Sequence, residues 1–137
     1  VLFLDTSALL KRYVHEAGTD QVLELMTRDA DWVASALART EADVTLCRLL
    51  SDETTLAEQR RRLREDWDHF RIVPVDAMCL AEAAETGCLR AVRTLDALHL
   101  AAAARLPRPF SFVTFDERQA EAARTMGFDV LGVDGPS

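Results

Sequence analysis

Val1-Leu2-Phe3-Leu4, followed at once by Asp5-Thr6-Ser7-Ala8-Leu9, is a short apolar run that ends on an acid at the threshold of a helix. Four apolar residues without alternation describe a strand covered on both faces rather than one with a wet side. Similar runs recur at Trp32-Val33-Ala34, Ile72-Val73-Pro74-Val75, Phe110-Ser111-Phe112-Val113 and Val130-Leu131. Between them lie stretches of helical period, such as Gln21 to Arg28 and Leu80 to Ala84, with Gly18, Gly87 and Gly127 at segment boundaries. Short apolar strands alternating with helices predict an α/β fold of three layers, its central, mostly parallel five-stranded sheet flanked by helices. One stretch breaks the alternation. From Leu37 to Phe70 the chain reads as helix without an intervening strand, a helical hairpin added to the sheet.

The chain has 137 residues, enough for a single domain over 1–137 that folds without a disulfide or metal staple. Apolar residues make up 49% and charged residues 28%, a globular balance that argues against disorder. Cys47, Cys79 and Cys88 are odd in number and contain no C-x-x-C pair, which suits a reducing, cytoplasmic setting rather than a disulfide framework. No apolar run approaches the roughly 20 residues that span a bilayer, so no membrane role is expected. The formal net charge is −7, and Lys11 is the only lysine beside the arginines. Such a chain gains no non-specific hold on nucleic acid from its overall field. A polyanionic substrate has to be held by local arginines or by bound cations.

In a doubly wound sheet, ligands bind beyond the carboxyl ends of the strands, where the strand order reverses. The residues standing there are acids. Asp5 follows the first run, Thr114-Phe115-Asp116 follows the fourth, and Thr94-Leu95-Asp96-Ala97-Leu98-His99 opens an apolar helix. Each aspartate also stands where a chain segment enters a helix, and Asp is a favoured N-cap worth about 1 kcal/mol. Asp116-Glu117-Arg118-Gln119 even has capping-box spacing. Glu41 has no such explanation. On the helix Leu37 to Leu50 it shares a face with Leu37, Val44 and Arg48, which predicts a carboxylate on an inward face, with Asp43 pointing away. A carboxylate so placed is costly unless paired or bound to a cation. Four acids at one cleft are hard oxygen donors suited to Mg²⁺, which takes one or two carboxylates and keeps several waters. Other phosphate chemistries fit less well, since the chain has neither a G-x-x-x-x-G-K-[ST] loop nor G-x-G-x-x-G.

Leu4-Asp5-Thr6-Ser7-Ala8-Leu9, Ser35-Ala36-Leu37-Ala38-Arg39-Thr40-Glu41, Arg93-Thr94-Leu95-Asp96-Ala97-Leu98-His99-Leu100-Ala101 and Val113-Thr114-Phe115-Asp116, with Ala122-Ala123 and Gly127-Phe128 behind them, follow one another in that order. Together they resemble the PIN-domain ribonucleases, and among these the VapC toxins of type II toxin–antitoxin pairs. The resemblance covers nearly the whole chain. It implies Mg²⁺- or Mn²⁺-dependent cleavage of RNA, with Asp5, Glu41, Asp96 and Asp116 as catalytic residues and Thr114 a lesser contributor. Asp5, Asp96 and Asp116 are the implied metal ligands, and Glu41 the residue that orients the attacking water or binds the metal through one. The implied partners are a VapB-like antitoxin and a second copy of the chain in a homodimer. Arg118 and Gln119 stand where some relatives carry a further acid, so the number of metal ions is left open. Two other readings stand beside this one: a PIN-type nuclease acting on DNA or in RNA maturation, and a binding module that keeps the acids only for folding.

The remaining polar residues have plainer expectations. Arg60, Arg61, Arg62 and Arg64 read as a solvated helix face balanced by Glu58, Glu65 and Asp66. Arg93, just ahead of Asp96, is either a phosphate contact or half of a salt bridge. His99, on the apolar face of Leu95, Leu98 and Ala102, reads as a packed core histidine, and His15 and His69 as surface residues. Trp32 and Trp67 are expected to be buried, and Cys47 to behave as a small hydrophobe.

Overall fold

Phe3 and Phe112 stack with their rings 5.3 Å apart, on neighbouring strands at the middle of the sheet. The computed structural model describes residues 1–133, so the last four residues of the expected 1–137 domain lie outside the described residues. Five strands, β1 (Leu2–Leu4), β2 (Trp32–Ser35), β3 (Arg71–Val73), β4 (Ser111–Thr114) and β5 (Asp129–Gly132), lie in the order β3-β2-β1-β4-β5. All four pairings are parallel, with Phe3 opposite Val33 on one side and Phe112 on the other. The chain therefore winds outward from β1 through β2 to β3, then returns across the sheet to start again at β4. The crevice this reversal opens lies between the carboxyl ends of β1 and β4.

Among the described residues, seven helices cover the sheet: α1 (Thr6–Leu10), α2 (Thr19–Arg28), α3 (Ala36–Leu49), α4 (Glu53–Trp67), α5 (Ala77–Arg90), α6 (Thr94–Ala104) and α7 (Glu117–Thr125). Successive strand residues point to opposite faces. Phe3, Val33 and Phe112 pack under α5, α6 and α7, whereas Leu2, Leu4, Ala34 and Val113 pack under α1 to α4. α6 is buried at every residue from Ala97 to Ala103, as an all-round apolar helix should be. The expected hairpin is present as α3 and α4, with Asp52 capping α4 through the Thr55 amide. Trp32 and Trp67 both pack on Phe70, where the hairpin returns to the sheet.

Some local expectations are corrected. The third strand ends at Val73, because Pro74 has no amide to continue the ladder. Gly18 does open α2 and Gly127 does follow α7, both at positive φ, but Gly87 lies within α5. A Cβ there would sit 3.4 Å from the Ala97 Cβ, an ordinary contact across the packing of α5 on α6. Cys47 is exposed on α3, and the buried thiol is Cys79.

Candidate active site

Asp5 enters the crevice directly from β1 and is only 4% exposed. It caps α1 as the sequence suggested, accepting from the Ala8 amide at 3.1 Å. The cap uses only part of the carboxylate. Oδ1 also accepts from the Ser7 hydroxyl at 2.6 Å, and Oδ2 from the Thr114 hydroxyl at 2.5 Å. Burial pushes the Asp5 carboxyl above its ordinary value, against the pull of those hydrogen bonds and of the charge at His99. Ser7 Oγ in turn accepts from the Phe115 amide, and Thr114 Oγ1 from the Asp116 amide. Two hydroxyls thus lace the end of β1 to the end of β4.

Asp116 is exposed and caps α7 through the Gln119 amide at 2.9 Å. The capping box is only half made, because Gln119 turns its side chain away and donates from Nε2 to the Asp96 carbonyl. Gln119 is fully buried and fixes α6 against α7. Asp96 is no cap. Arg93 holds the N-cap position of α6, and Asp96 stands in its first turn, half-buried, with the carboxyl pushed above its ordinary value. Burial is the largest cause, followed by the negative charges of Asp116 and Asp5, with Glu41 adding to them. Those charges are close enough to resist one another. Among the described residues, none of Asp5, Asp96 and Asp116 forms an ion pair with a lysine or arginine.

Glu41 reaches the same crevice from α3, by a different face from the one expected. The inward face of α3 is Ala38, Ala42 and Leu46, while Val44 is 42% exposed. Small residues let the helix sit close to the sheet, and Glu41 stands at the border of that face, partly exposed. Its Oε1 accepts from the Thr6 hydroxyl at 2.8 Å and from His99 Nε2 at 2.5 Å. Burial opposes ionisation of Glu41, but the His99 hydrogen bond and charge, together with Thr6, outweigh it and hold the carboxyl below its ordinary value. Asp43 faces elsewhere, paired with Arg39 and near Arg60. His99 is buried as expected, yet it is a polar partner of Glu41 and not mere packing.

Arg93, Asp96, Phe115, Asp116, Glu117 and Arg118 line an open depression over the acids. Arg93 forms no salt bridge among the described residues. In the basic run on α4, Arg61 and Arg64 are solvated as expected, Arg61 between Glu58 and Glu65, whereas Arg60 donates to the Asp43 carbonyl and Arg62 lies over the Tyr13 ring. Asp66 belongs elsewhere, holding Arg12 and the Tyr13 hydroxyl.

The donor set fits a divalent cation through its chemistry: carboxylate oxygens, uncompensated negative charge and an open approach. Among the described residues no three acid, histidine or cysteine side chains stand close enough to enclose an ion directly. A cation here takes one or two carboxylates and fills its shell with water, the habit of Mg²⁺. Asp5, with three protein hydrogen bonds, offers an Oδ2 lone pair; Asp96 and Asp116 are less committed.

This fold has known counterparts. The PIN domain family model matches residues 2–125, and the chain belongs to that family, within it to the VapC type. Ribonuclease VapC46 of Mycobacterium tuberculosis is 36% identical over 132 residues, 95% of each chain. Ribonuclease VapC47 of the same species is 33% identical over 129 residues, 93% of each. Among solved structures, FitAcB from Neisseria gonorrhoeae superposes with a TM-score of 0.74 at 19% identity, covering 96% of both chains. A toxin–antitoxin complex from Klebsiella pneumoniae gives 0.66 at 18% identity, over 87% of this chain and 89% of that one.

Sequence reasoning missed Ser7, Thr6 and Gln119, and it discounted His99. A helical spacing of three from Asp96 was the one available signal for His99, since such residues share a face.

Proposed function

We propose that this protein is the toxin of a toxin–antitoxin pair, an endoribonuclease that hydrolyses RNA phosphodiester bonds with the help of Mg²⁺ or Mn²⁺. One observation carries the reading: Asp5, Asp96 and Asp116 converge at the strand-order reversal without a cationic partner among the described residues, and Asp96 is strained by its neighbours. A binding module has no need of such a set. Kinship with ribonucleases VapC46 and VapC47 supports RNA as the substrate, and the structural kinship with a toxin–antitoxin complex supports an antitoxin as partner.

Asp5, Asp96 and Asp116 would hold the cation, one or two of them directly and the rest through water; when bound it would acidify an attacking water and neutralise charge on the phosphate. Ser7 and Thr114 fix the Asp5 carboxylate so that it keeps one direction open. Glu41, with Oε1 taken by protein donors, offers Oε2 to the water and accepts its proton. Arg93 lies on the rim, where a phosphate of the strand passes. Water is the nucleophile, so the RNA 2′-hydroxyl is recognised rather than used. The antitoxin would suppress activity by placing an arginine among the acids, a charge-assisted contact. The toxin itself is expected to form a homodimer.

Purified protein is expected to cut RNA with Mg²⁺ or Mn²⁺, to stop on addition of EDTA, and to lose activity in Asp96→Asn with the fold intact. Full activity in that variant, or cleavage that ignores the chelator, sinks the proposal. Cleavage of DNA alone would favour the other nuclease reading.

A further inference from the structure

We infer that His99 is a positioning residue for the proposed hydrolysis: it pins Glu41 by one carboxylate oxygen so that the other faces the cleft. The inference rests on the proposed function and adds a residue to it.

Along α6, the seven residues Ala97 to Ala103 are all buried, and every one but His99 is alanine or leucine. A histidine kept only for packing would satisfy both ring nitrogens or give way to leucine. His99 does neither. Its Nδ1 is buried without a partner among the described residues, while Nε2 lies 2.5 Å from Glu41 Oε1. The ring thus tolerates an unsatisfied nitrogen and spends the other on a single carboxylate oxygen.

That oxygen is doubly held. The Thr6 hydroxyl donates to the same Oε1, and Thr6 Oγ1 lies 3.2 Å from His99 Nε2, closing a three-membered cluster from α1, α3 and α6. Oε2 has no protein partner among the described residues, and the Glu41 side chain is one-quarter exposed. Two donors on Oε1 therefore settle which oxygen is free and which way it looks.

The neighbouring charges explain why such a clamp is needed. Glu41 lies within electrostatic reach of Asp96, which also feels Asp5 and Asp116. A flexible glutamate among three aspartates would swing toward solvent, since like charges repel and a long side chain has many rotamers. Asp96 and His99 stand one helical turn apart, so the helix that brings an acid to the cleft also brings the donor that keeps Glu41 there. A water-orienting group must be held within a fraction of an ångström to be effective. The loss of His99 should then appear in the chemical step rather than in substrate binding.

The test uses the full chain in RNA cleavage at saturating Mg²⁺, with thermal melts alongside. His99→Leu should lower kcat by about tenfold or more with KM changed less than about twofold, the pattern of a lost transition-state interaction. Its melting temperature should fall only slightly, because leucine suits the apolar site and removes an orphaned nitrogen, while water can reach the one-quarter-exposed Glu41 that loses a donor. His99→Gln places an amide N–H near the position of Nε2 and should recover kcat to within about threefold of wild type. In a Glu41→Gln background, His99→Leu should cost less than about twofold, because the two residues act as a unit. Histidine-selective ¹H–¹⁵N spectra supply a readout independent of cleavage: a downfield, slowly exchanging Nε2 proton in wild type that moves upfield in Glu41→Ala.

Undiminished kcat in His99→Leu overturns the inference. So does an equal loss with Glu41 already altered, or a fall in melting temperature that tracks the fall in rate without rescue by glutamine. If wild type cuts no RNA, the proposed function fails, and the spectra still decide whether His99 holds Glu41. An unprotected Nε2 proton in wild type would end the positioning role on its own.

Discussion

The Thr114 hydroxyl donates to Asp5 Oδ2 at 2.5 Å, joining residues 109 positions apart at the ends of adjacent parallel strands. It is a charge-assisted bond in a fully buried setting, and Thr114 is 0% exposed. Val is close to Thr in shape, so Thr114→Val keeps the packing but removes the hydroxyl, which donates to Asp5 and also accepts from the Asp116 amide. The buried carboxylate oxygen would be left without its partner, which costs about 1–3 kcal/mol. Urea denaturation at pH 7 should show a lower midpoint with an unchanged slope. A loss below about 0.5 kcal/mol would mean that water replaces the hydroxyl easily.

Stability without metal should depend on pH in a particular sense. Asp5 and Asp96 have folded-state carboxyls above their ordinary value of 3.8. The folded protein thus binds these protons more tightly than the unfolded chain. Their contribution is complete below that ordinary value and is lost as pH rises through the raised values. Glu41 lies below its ordinary value and acts in the opposite sense, losing its contribution on acidification. The difference between wild type and Asp96→Asn isolates one group from the rest. At pH 4 the two should melt together; by pH 7 the variant should be more stable. After allowance for screening at a half-buried site, the gain is about 1 kcal/mol, or about 2–8 °C. Since Asp96 is not a helix cap, a capping effect cannot mimic this result.

Mg²⁺ should stabilise wild type by mass action. At a hundredfold excess over its dissociation constant the gain is about 2.7 kcal/mol. Asp96→Asn should gain less, and the spread between the two melting curves should close when EDTA is added. Equal gains in both proteins would place the cation away from Asp96.

Glu41 and Asp43 lie two residues apart on α3 and should behave as opposites. Asp43 pairs with Arg39 at 3.1 Å and approaches Arg60 on a partly exposed face. Asp43→Asn should cost less than about 1 kcal/mol and leave cleavage unchanged. Glu41→Gln should lower kcat by about 10²-fold or more, the range of a lost general base. If both variants cleave alike, Glu41 has no role in the reaction.

Arg93 should contact phosphate. In an Asp96→Asn background, which permits binding to be measured without cleavage, Arg93→Ala should weaken RNA binding. The slope of log affinity against log salt should shrink by about 0.7, the value for one phosphate contact on a single strand. Fluorescence anisotropy at three or more salt concentrations reads that slope. An unchanged slope would leave Arg93 with only the N-cap position of α6.

The fold and the acids were legible because both follow from short-range rules. Doubly buried strands must be continuous apolar runs, and the sheet's topology leaves the residues after them at the cleft. Asp5 and Asp116 could be placed in this way without knowing any contact. Glu41 was found for a partly mistaken reason. Leu37 and Val44 suggested the inward face by their size, whereas α3 packs through alanines that let it lie close to the sheet. His99 and Thr6 were hidden because their partner lies 58 and 35 positions away, and in the local sequence each looks like packing or a first-turn hydroxyl. Ser7 and Gln119 were hidden likewise, since each links two segments that only the sheet brings together.

The pairing of β1 with β4 has a consequence for the timing of activity. Asp5 and Asp116 are among the first and the last of the site residues in the chain, and the cleft exists only once those two strands lie side by side. Closing so long a loop is among the slower events of folding, because its entropy is lost before any contact is gained. A chain emerging from the ribosome therefore carries Asp5, Glu41 and Asp96 for some time as an unassembled set. Under the proposed function the growing polypeptide would spare the RNA around it until its last strands are in place, and the fold itself would supply an interval in which an antitoxin could reach the newborn chain.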